Sequence, residues 1–366
     1  VLPGKPLELQ QDLPRSTGRG TVGLTVASRT STARSRRPPD DLVTWRDGIH
    51  IVSTPIWCDA LRASEICFVS RAEALASTRH GQLVGTAETF ALLDSGQRKR
   101  RPDTELAVPV GHPFTLGTRR IELLASGHSV GAASMAVDVD GRRVLYAGEV
   151  NPRGGGLGGT ADLRECDTVI LSARFGHRRF GFEPTDRVAG RALDLAREVT
   201  AAGGAAVMLV ESVGRALDVA ARFAAAELPL SAHRSIQMAA RRLTGHVELP
   251  ALRRYAPRDG AAIAGRALLW PLAGRAALAE LPAGSRIAVL SGDAVDPGFA
   301  SQHGADVGIA WTGGAGRDEL VDYIAATGAR RVFLTDRHAE ELAAELDGGR
   351  LSVSPIGPPV QMSLFE

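Results

Sequence analysis

LLASGHSVGAASMAVDVDGRRVLYAGEV, residues 123–150, carries more architectural information than any other stretch of this chain. Two apolar runs, Ser134–Val139 and Arg143–Tyr146, flank Val139-Asp140-Gly141-Arg142. Apolar runs of this length, bounded by turn residues, read as buried strands. Asp-Gly between them supplies the left-handed backbone that a two-residue hairpin turn demands. Arg120–Ala125, upstream of Gly127-His128, reads as a third strand. Ile49–Ser53, Ile66–Ser70 and Thr168–Ser172 are further β-branched runs between turn residues.

Beyond residue 185 the texture changes. Val188, Ala192, Leu195, Ala196 and Val199 recur at helical spacing within Asp186–Ala201, and Gly203-Gly204 ends the run. Ala205–Val210 reads as a strand and Gly214–Ala226 as a helix, and the alternation continues to about residue 285. Ile287–Leu290 and Val307–Trp311 return to strands. Asp318–Thr327 predicts a helix capped by Gly328, then a strand at Arg331–Thr335 and a helix at Ala339–Leu346. The order is β-rich, then α/β, then βαβα, which predicts layered sheets flanked by helices in an α/β fold.

Composition narrows the class. Apolar residues at 44% and charged residues at 23% are ordinary for a globular chain, and no apolar run is long enough to span a membrane. Cys58, Cys67 and Cys166 are too few and too far apart for a disulfide framework or a zinc knuckle, so buried free thiols in a reducing cytoplasm are expected. The net charge of +2 does not by itself announce nucleic-acid binding. Lysine occurs only at Lys5 and Lys99, so nearly all positive charge is arginine, which reflects either a GC-rich coding sequence or phosphate recognition. Residues 1–42, rich in Pro, Ser, Thr, Arg and Gly and lacking either apolar period, read as disordered or as an extension not native to the protein. Residues 352–366 read as an exposed tail.

Four blocks carry a resemblance. Ile66–Ser70 followed by RAEALA stands where metallo-β-lactamase-fold enzymes have a strand and then S-H-A-H-x-D-H. Residues 123–150 resemble the block with a G-H-x-x-G-S/A turn, a hairpin and Y-T-G-D-F. DTVILSARFGHRRFGFEP (residues 167–184) resembles the segment ending in L-E-A-T-F-G-x-P in β-CASP nucleases. VGIAWTGGAGRDELVDYIAATGARRVFLTDR (residues 307–337) resembles the closing S-G-H-A-D and V-Y-L-V-H-G block. The resemblance implies a metallo-β-lactamase-like αββα sandwich with an inserted β-CASP-like α/β domain, similar to bacterial DNA-repair exonucleases and RNA 3′-end processing factors. It places the core at 43–185 and 286–351 and the insert at 186–285.

The family's two metal ions, usually zinc, activate a hydroxide held by histidines and carboxylates. Matched residue by residue, those ligand positions fall on Arg71, Glu73, Leu75, Ala76 and Asp336, and the further β-CASP motif positions on Ser172, Gly314 and Gly316. Only His128 is kept, with Glu149 in place of the bridging aspartate. Leu75 and Ala76 offer no ligand atom, and Arg71 brings a fixed cation that could pair with Glu73 or Glu149. The expectation is therefore a catalytically inactive homologue with no resident metal and no catalytic residues, a scaffold or DNA-binding subunit in bacterial DNA repair or replication. The alternative is a metal-dependent DNA or RNA exonuclease or phosphodiesterase with a rebuilt zinc or manganese site drawn from His128, Glu149, His177, Asp336 and His338.

Arg98-Lys99-Arg100-Arg101 and Arg178-Arg179 are candidate nucleic-acid contacts, as are Arg241-Arg242 and Arg253-Arg254; solvated arginine explains them equally well. The glycine run at 153–159 lacks the Lys-Ser/Thr of a phosphate loop and reads as a flexible loop. Gln361-Met362-Ser363-Leu364-Phe365 resembles the bacterial sliding-clamp-binding motif, with Leu364 and Phe365 suited to an apolar pocket and Gln361 to backbone hydrogen bonds. The expected partners are the clamp, DNA and a further repair protein or active nuclease, not a membrane. The expected location is the cytoplasm, at the nucleoid.

Overall fold

Short apolar strands open the described part of the chain: β1 (Val43–Trp45), β2 (Ile49–Ile51), β3 (Ile56–Cys58), β4 (Ile66–Phe68), β5 (Gln82–Gly85) and β6 (Thr104–Ala107). The structure, a computed structural model, describes residues 41–358 apart from 77, 94–96, 98, 100, 101, 103, 257–261 and 279. β1 to β6 form one sheet in sequence order, antiparallel through β3 and parallel beyond it. Helix α1 (Ala87–Leu92) follows β5, its first turn closed by Thr86, whose hydroxyl accepts from Thr89 N.

The second sheet contains the hairpin. Its strands are β7 (Phe114–Leu116), β8 (Arg119–Ala125), β9 (Ala133–Val139), β10 (Arg142–Gly148) and β11 (Thr168–Ser172). The β9–β10 turn forms as its sequence predicts, with Asp140 and Gly141 at φ 51° and 78° and Val139 opposite Arg142. Alternation then decides which face each side chain covers. Val144, Tyr146 and Ile170 meet Ile51, Phe68 and Val84 of the first sheet in one core. Leu145, Val169 and Leu171 point the other way, into a core shared with helices.

The third sheet begins after helix α2 (Thr185–Ala201). Its elements are β12 (Ala206–Val210), α3 (Val213–Ala225), β13 (Leu230–Ala232), α4 (Arg234–Arg242), β14 (Arg253–Arg254), β15 (Ala267–Pro271), β16 (Arg286–Leu290), α5 (Phe299–Gln302) and β17 (Val307–Ile309). The strands are all parallel, in the order β14-β13-β15-β12-β16-β17. Near-continuous apolar strands such as AVMLV at β12 fit a parallel sheet covered on both faces. Helix α2 buries the face its periodicity marks, with Val188, Ala192, Ala196 and Val199 against the sheet.

The chain then returns through α6 (Arg317–Thr327), β18 (Arg331–Thr335), α7 (Ala339–Leu346) and β19 (Ser352–Pro355). β18 lies parallel to β11 and completes the second sheet with β19 at its edge. Gly328 ends α6 at φ 64°, the left-handed cap its position predicts. Leu320, Ile324 and Leu342 cover the outer face of the second sheet.

The α/β class is what the sequence predicts, but two boundaries move. β16 and β17 belong to the third sheet, so that sheet runs to Ile309 rather than ending at residue 285. Their apolar runs mark them as buried strands without naming a neighbour; that is set by the Ala206–Arg286 and Ala288–Val307 registers. The exposed tail expected from residue 352 does not start there, because Ser352–Pro355 pairs with β18 and buries Val353. An edge strand tolerates Pro355, whose missing N–H faces away from the ladder. Among the described residues no helix is long and apolar enough to cross a membrane. Cys58 and Cys67 are buried free thiols and Cys166 is half-buried, and burial raises their pKa values, that of Cys67 to about 12.

Candidate functional site

The carboxyl ends of β3, β4, β10, β11 and β18 open on one cavity of about 840 Å³. It is lined by the carboxylates of Asp59, Glu73, Glu149, Asp336 and Glu340, by Arg71, and by apolar groups including Trp45, Leu61 and Ile356. Of these, the ends of β4, β10 and β18 are where the sequence resemblance assigns family metal-ligand positions, and the end of β11 carries the β-CASP motif position Ser172.

Arg71 and Glu149 are joined there. Nη2 of Arg71 lies 2.9 Å from Oε1 of Glu149. Nδ1 of His128 stands 3.3 Å from the other carboxylate oxygen and 3.2 Å from the Gly313 carbonyl. A protonated Nδ1 donates to that pair of acceptors, which leaves His128 a bound neutral ring. Burial, and next to it the charge of Arg71, lower the His128 pKa against the pull of Glu149. Burial also works against ionising Glu149, yet Arg71, then His128 and Arg174, hold its carboxyl down to about 2. Of the two partners the sequence left open for Arg71, the structure pairs it with Glu149. Glu73 sits exposed on the 3-10 turn Ala72–Ala74.

Asp59 stabilises the floor. One of its oxygens accepts from Ser70 N at 2.8 Å and the other from Ser70 Oγ at 2.6 Å and Tyr146 Oη at 2.7 Å. The sequence reading missed Asp59. Its signal was an acidic residue closing an apolar strand, and its φ of 47° is a conformation Asp tolerates better than most residues.

The donor set does not fit a pair of metal ions. Leu75 is buried in an apolar cluster with Phe90 and Leu93, and half-buried Ala76 carries no donor. The Ser172 hydroxyl accepts from Arg174 N at 3.2 Å. Asp336 is exposed at φ 72° and accepts from the neighbouring Thr335 hydroxyl at 3.1 Å. A Cβ on Gly314 would stand 3.0 Å from the Phe175 ring, and one on Gly316 would collide with the Phe180 carbonyl, so neither position has room for a ligand side chain without rearrangement. His177 and His338 flank Glu341 instead, at 3.5 and 3.6 Å. Among the described residues no three of His, Cys, Asp and Glu stand together so as to hold an ion.

Two further ionic clusters tie the third sheet to the rest. Arg174, just past β11, pairs with Glu211 after β12 and at 3.1 Å with Asp293 after β16. Arg337 also pairs with Asp293 and donates to the Arg174 carbonyl at 3.2 Å. Arg215 and Asp218, both on α3, form a buried pair at 2.5 Å, and Asp218 accepts from Leu157 N at 2.6 Å. That last bond corrects the flexible-loop reading of residues 153–159. Gly154 O accepts from Thr185, Gly155 O from Arg222, and a Cβ on Gly156 would meet the Asp218 carboxylate at 2.9 Å. Glycine serves close packing here, which composition alone cannot distinguish from mobility. Arg174, Arg215 and Asp218 were not singled out from sequence, since isolated charged residues give no local sign of burial.

The nucleic-acid candidates fare unevenly. Arg178 is mostly exposed and pairs with Glu345 at 2.9 Å, and Arg179 stacks 4.7 Å over the Phe180 ring. Lys99 is exposed, whereas Arg98, Arg100 and Arg101 lie outside the described residues, as do Gln361, Met362, Ser363, Leu364 and Phe365.

No family model matches this chain. It is similar to a probable DNA ligase of Opitutus terrae, 24% identical over 327 residues, covering 88% of this chain and 32% of that protein. It is also similar to an RNase J-like protein of Methanocaldococcus jannaschii, 29% identical over 100 residues, which is 26% of this chain and 23% of that protein. The chain therefore spans about a third of the length of the first relative and about a quarter of the second. Among solved structures, a protein of unknown function from Enterococcus faecalis V583 superposes with a TM-score of 0.54 at 12% identity, over 80% of this chain and 79% of that one. At that identity the likeness speaks to the fold.

Proposed function

We propose that this chain is a non-catalytic homologue of β-CASP-type nucleases, a nucleic-acid-binding or scaffold subunit in DNA repair or replication, tethered to a sliding clamp by residues 361–365. Both relatives carry names from nucleic-acid processing, which supports the broad setting. The observation that carries the loss of catalysis is the Arg71–Glu149–His128 contact. It commits the two surviving ligand candidates to a permanent cation and to backbone. A hydrolytic metal centre needs deprotonated ligands and an open coordination position, and an arginine can supply neither.

Metal content and nuclease activity test this reading. The full chain, purified and dialysed against zinc or manganese, should hold the ion only substoichiometrically and leave labelled DNA and RNA intact. Near-stoichiometric metal, with cleavage abolished by His128→Ala, would establish the rebuilt-site alternative instead. The tether has its own test. Deleting residues 361–366 should abolish retention of this chain on immobilised clamp, and equal retention with and without them removes the clamp from the proposal.

A further inference from the structure

Positive charge is unevenly distributed over this chain. Residues 227–266 carry seven arginines and three acidic residues, a net +4, although the whole chain is only +2. Its described residues build one edge of the third sheet, β13, α4, β14 and the approach to β15, while Arg258 and Asp259 lie outside the described residues. β14 is the edge strand, and both its residues, Arg253 and Arg254, are exposed. Parallel pairing sets Arg253 beside Ser231 and Arg254 beside Ala232. The Ser231 hydroxyl accepts from Arg266 Nε at 2.9 Å, and the Leu230 carbonyl accepts from Arg266 Nη2 at 2.7 Å. Arg266 is thus held by neutral acceptors and keeps its charge next to Arg253. Burial and then Arg253 lower the Arg266 pKa, and burial and then Arg254 lower that of His233.

Among the described residues no carboxylate pairs with Arg234, Arg241, Arg253, Arg254 or Arg266. Elsewhere Arg119, Arg143, Arg174, Arg191 and Arg317 have carboxylate partners, while among the described residues unpaired exposed arginines such as Arg187, Arg197 and Arg286 are not gathered on one edge strand with its neighbours. Gathered, unneutralised guanidinium groups repel one another, and an anion with repeated charges relieves that repulsion. The neighbouring aromatic groups, Tyr255 and Trp270, are buried, so they offer no platform on which bases could stack.

We propose that nucleic acid docks along this arginine edge of the third sheet through its phosphodiester backbone, without reading bases. The proposal rests on the nucleic-acid setting argued above. It places the contact on an edge strand that does not line the carboxylate cavity.

Fluorescence anisotropy of the full chain with labelled single-stranded and duplex DNA, over a salt series, tests it. Arg253→Glu/Arg254→Glu should weaken binding about tenfold or more and flatten the dependence of log affinity on log salt by about two. Arg253→Ala/Arg254→Ala should move both readings the same way by a smaller amount. Arg187→Glu/Arg197→Glu changes the net charge equally on exposed positions of α2 and should shift affinity less than about threefold. Wild-type binding that the β14 variants leave unchanged, or weaken no more than the α2 variant does, overturns the docking edge while leaving the nucleic-acid setting intact. A wild-type chain that binds neither probe at low salt overturns that setting as well.

Discussion

Arg71→Ala is expected to lower the free energy of unfolding by about 3–5 kcal/mol at neutral pH, the cost of stranding a buried charge. Glu149 is left with His128, whose ring is neutral while Arg71 is present. Removing Arg71 lifts both pKa values, since its charge lowers each of them. The loss should therefore shrink on mild acidification, as His128 or Glu149 takes up the missing proton. Wild type behaves oppositely. The depressed Glu149 carboxyl contributes stability that is complete above its unfolded value of 4.5 and is lost as pH falls toward about 2. Arg71→Met/Glu149→Met removes both charges together and should recover most of the stability, because a buried pair is often replaceable by apolar groups of similar volume. Denaturant midpoints at constant slope, measured at neutral and mildly acidic pH, give all three comparisons. A loss under about 1 kcal/mol for Arg71→Ala would mean that the pair is solvated and contributes as little as a surface bridge.

Gly313→Ala should cost about 3 kcal/mol, the upper end of what overpacking does. The added methyl would fall within the radius of the His128 carbonyl oxygen and stand 3.0 Å from Cδ of Arg215. Neither neighbour can yield cheaply. The His128 backbone belongs to the turn whose ring contacts Gly313 O, and Arg215 is fixed in its buried bond to Asp218. Gly181→Ala is the control, since a Cβ there meets nothing within 4 Å. Thermal and denaturant unfolding of the two variants should differ widely, and equal stability would mean that the chain around Gly313 is looser than this packing implies.

These two positions show what local pattern reveals and what it hides. The β9–β10 hairpin, α2 and the Gly328 cap follow from alternation, helical spacing and a left-handed glycine, all written within a few residues. The pairing of Arg71 with Glu149 joins residues far apart in sequence, and nothing around Arg71 chooses Glu149 over nearby Glu73. The membership of β16 and β17 in the third sheet was hidden for the same reason, because a buried apolar run does not name its neighbour. The run at 153–159 misled in another way. Its glycines reflect crowding by Asp218, Ser129 and Thr185, and crowding is invisible until the chain is folded.

Among the described residues the cavity is lined by five carboxylates, one of them paired with its single guanidinium, whereas the β14 edge gathers unpaired arginines. A molecule charged in this way carries a permanent dipole. A polyanion in that field is drawn toward the arginine edge before any contact forms. That attraction acts within roughly a Debye length, about 8 Å at physiological ionic strength, and so fades as salt is added. The cavity mouth, for its part, would collect small cations and basic side chains from its surroundings while phosphate is kept out.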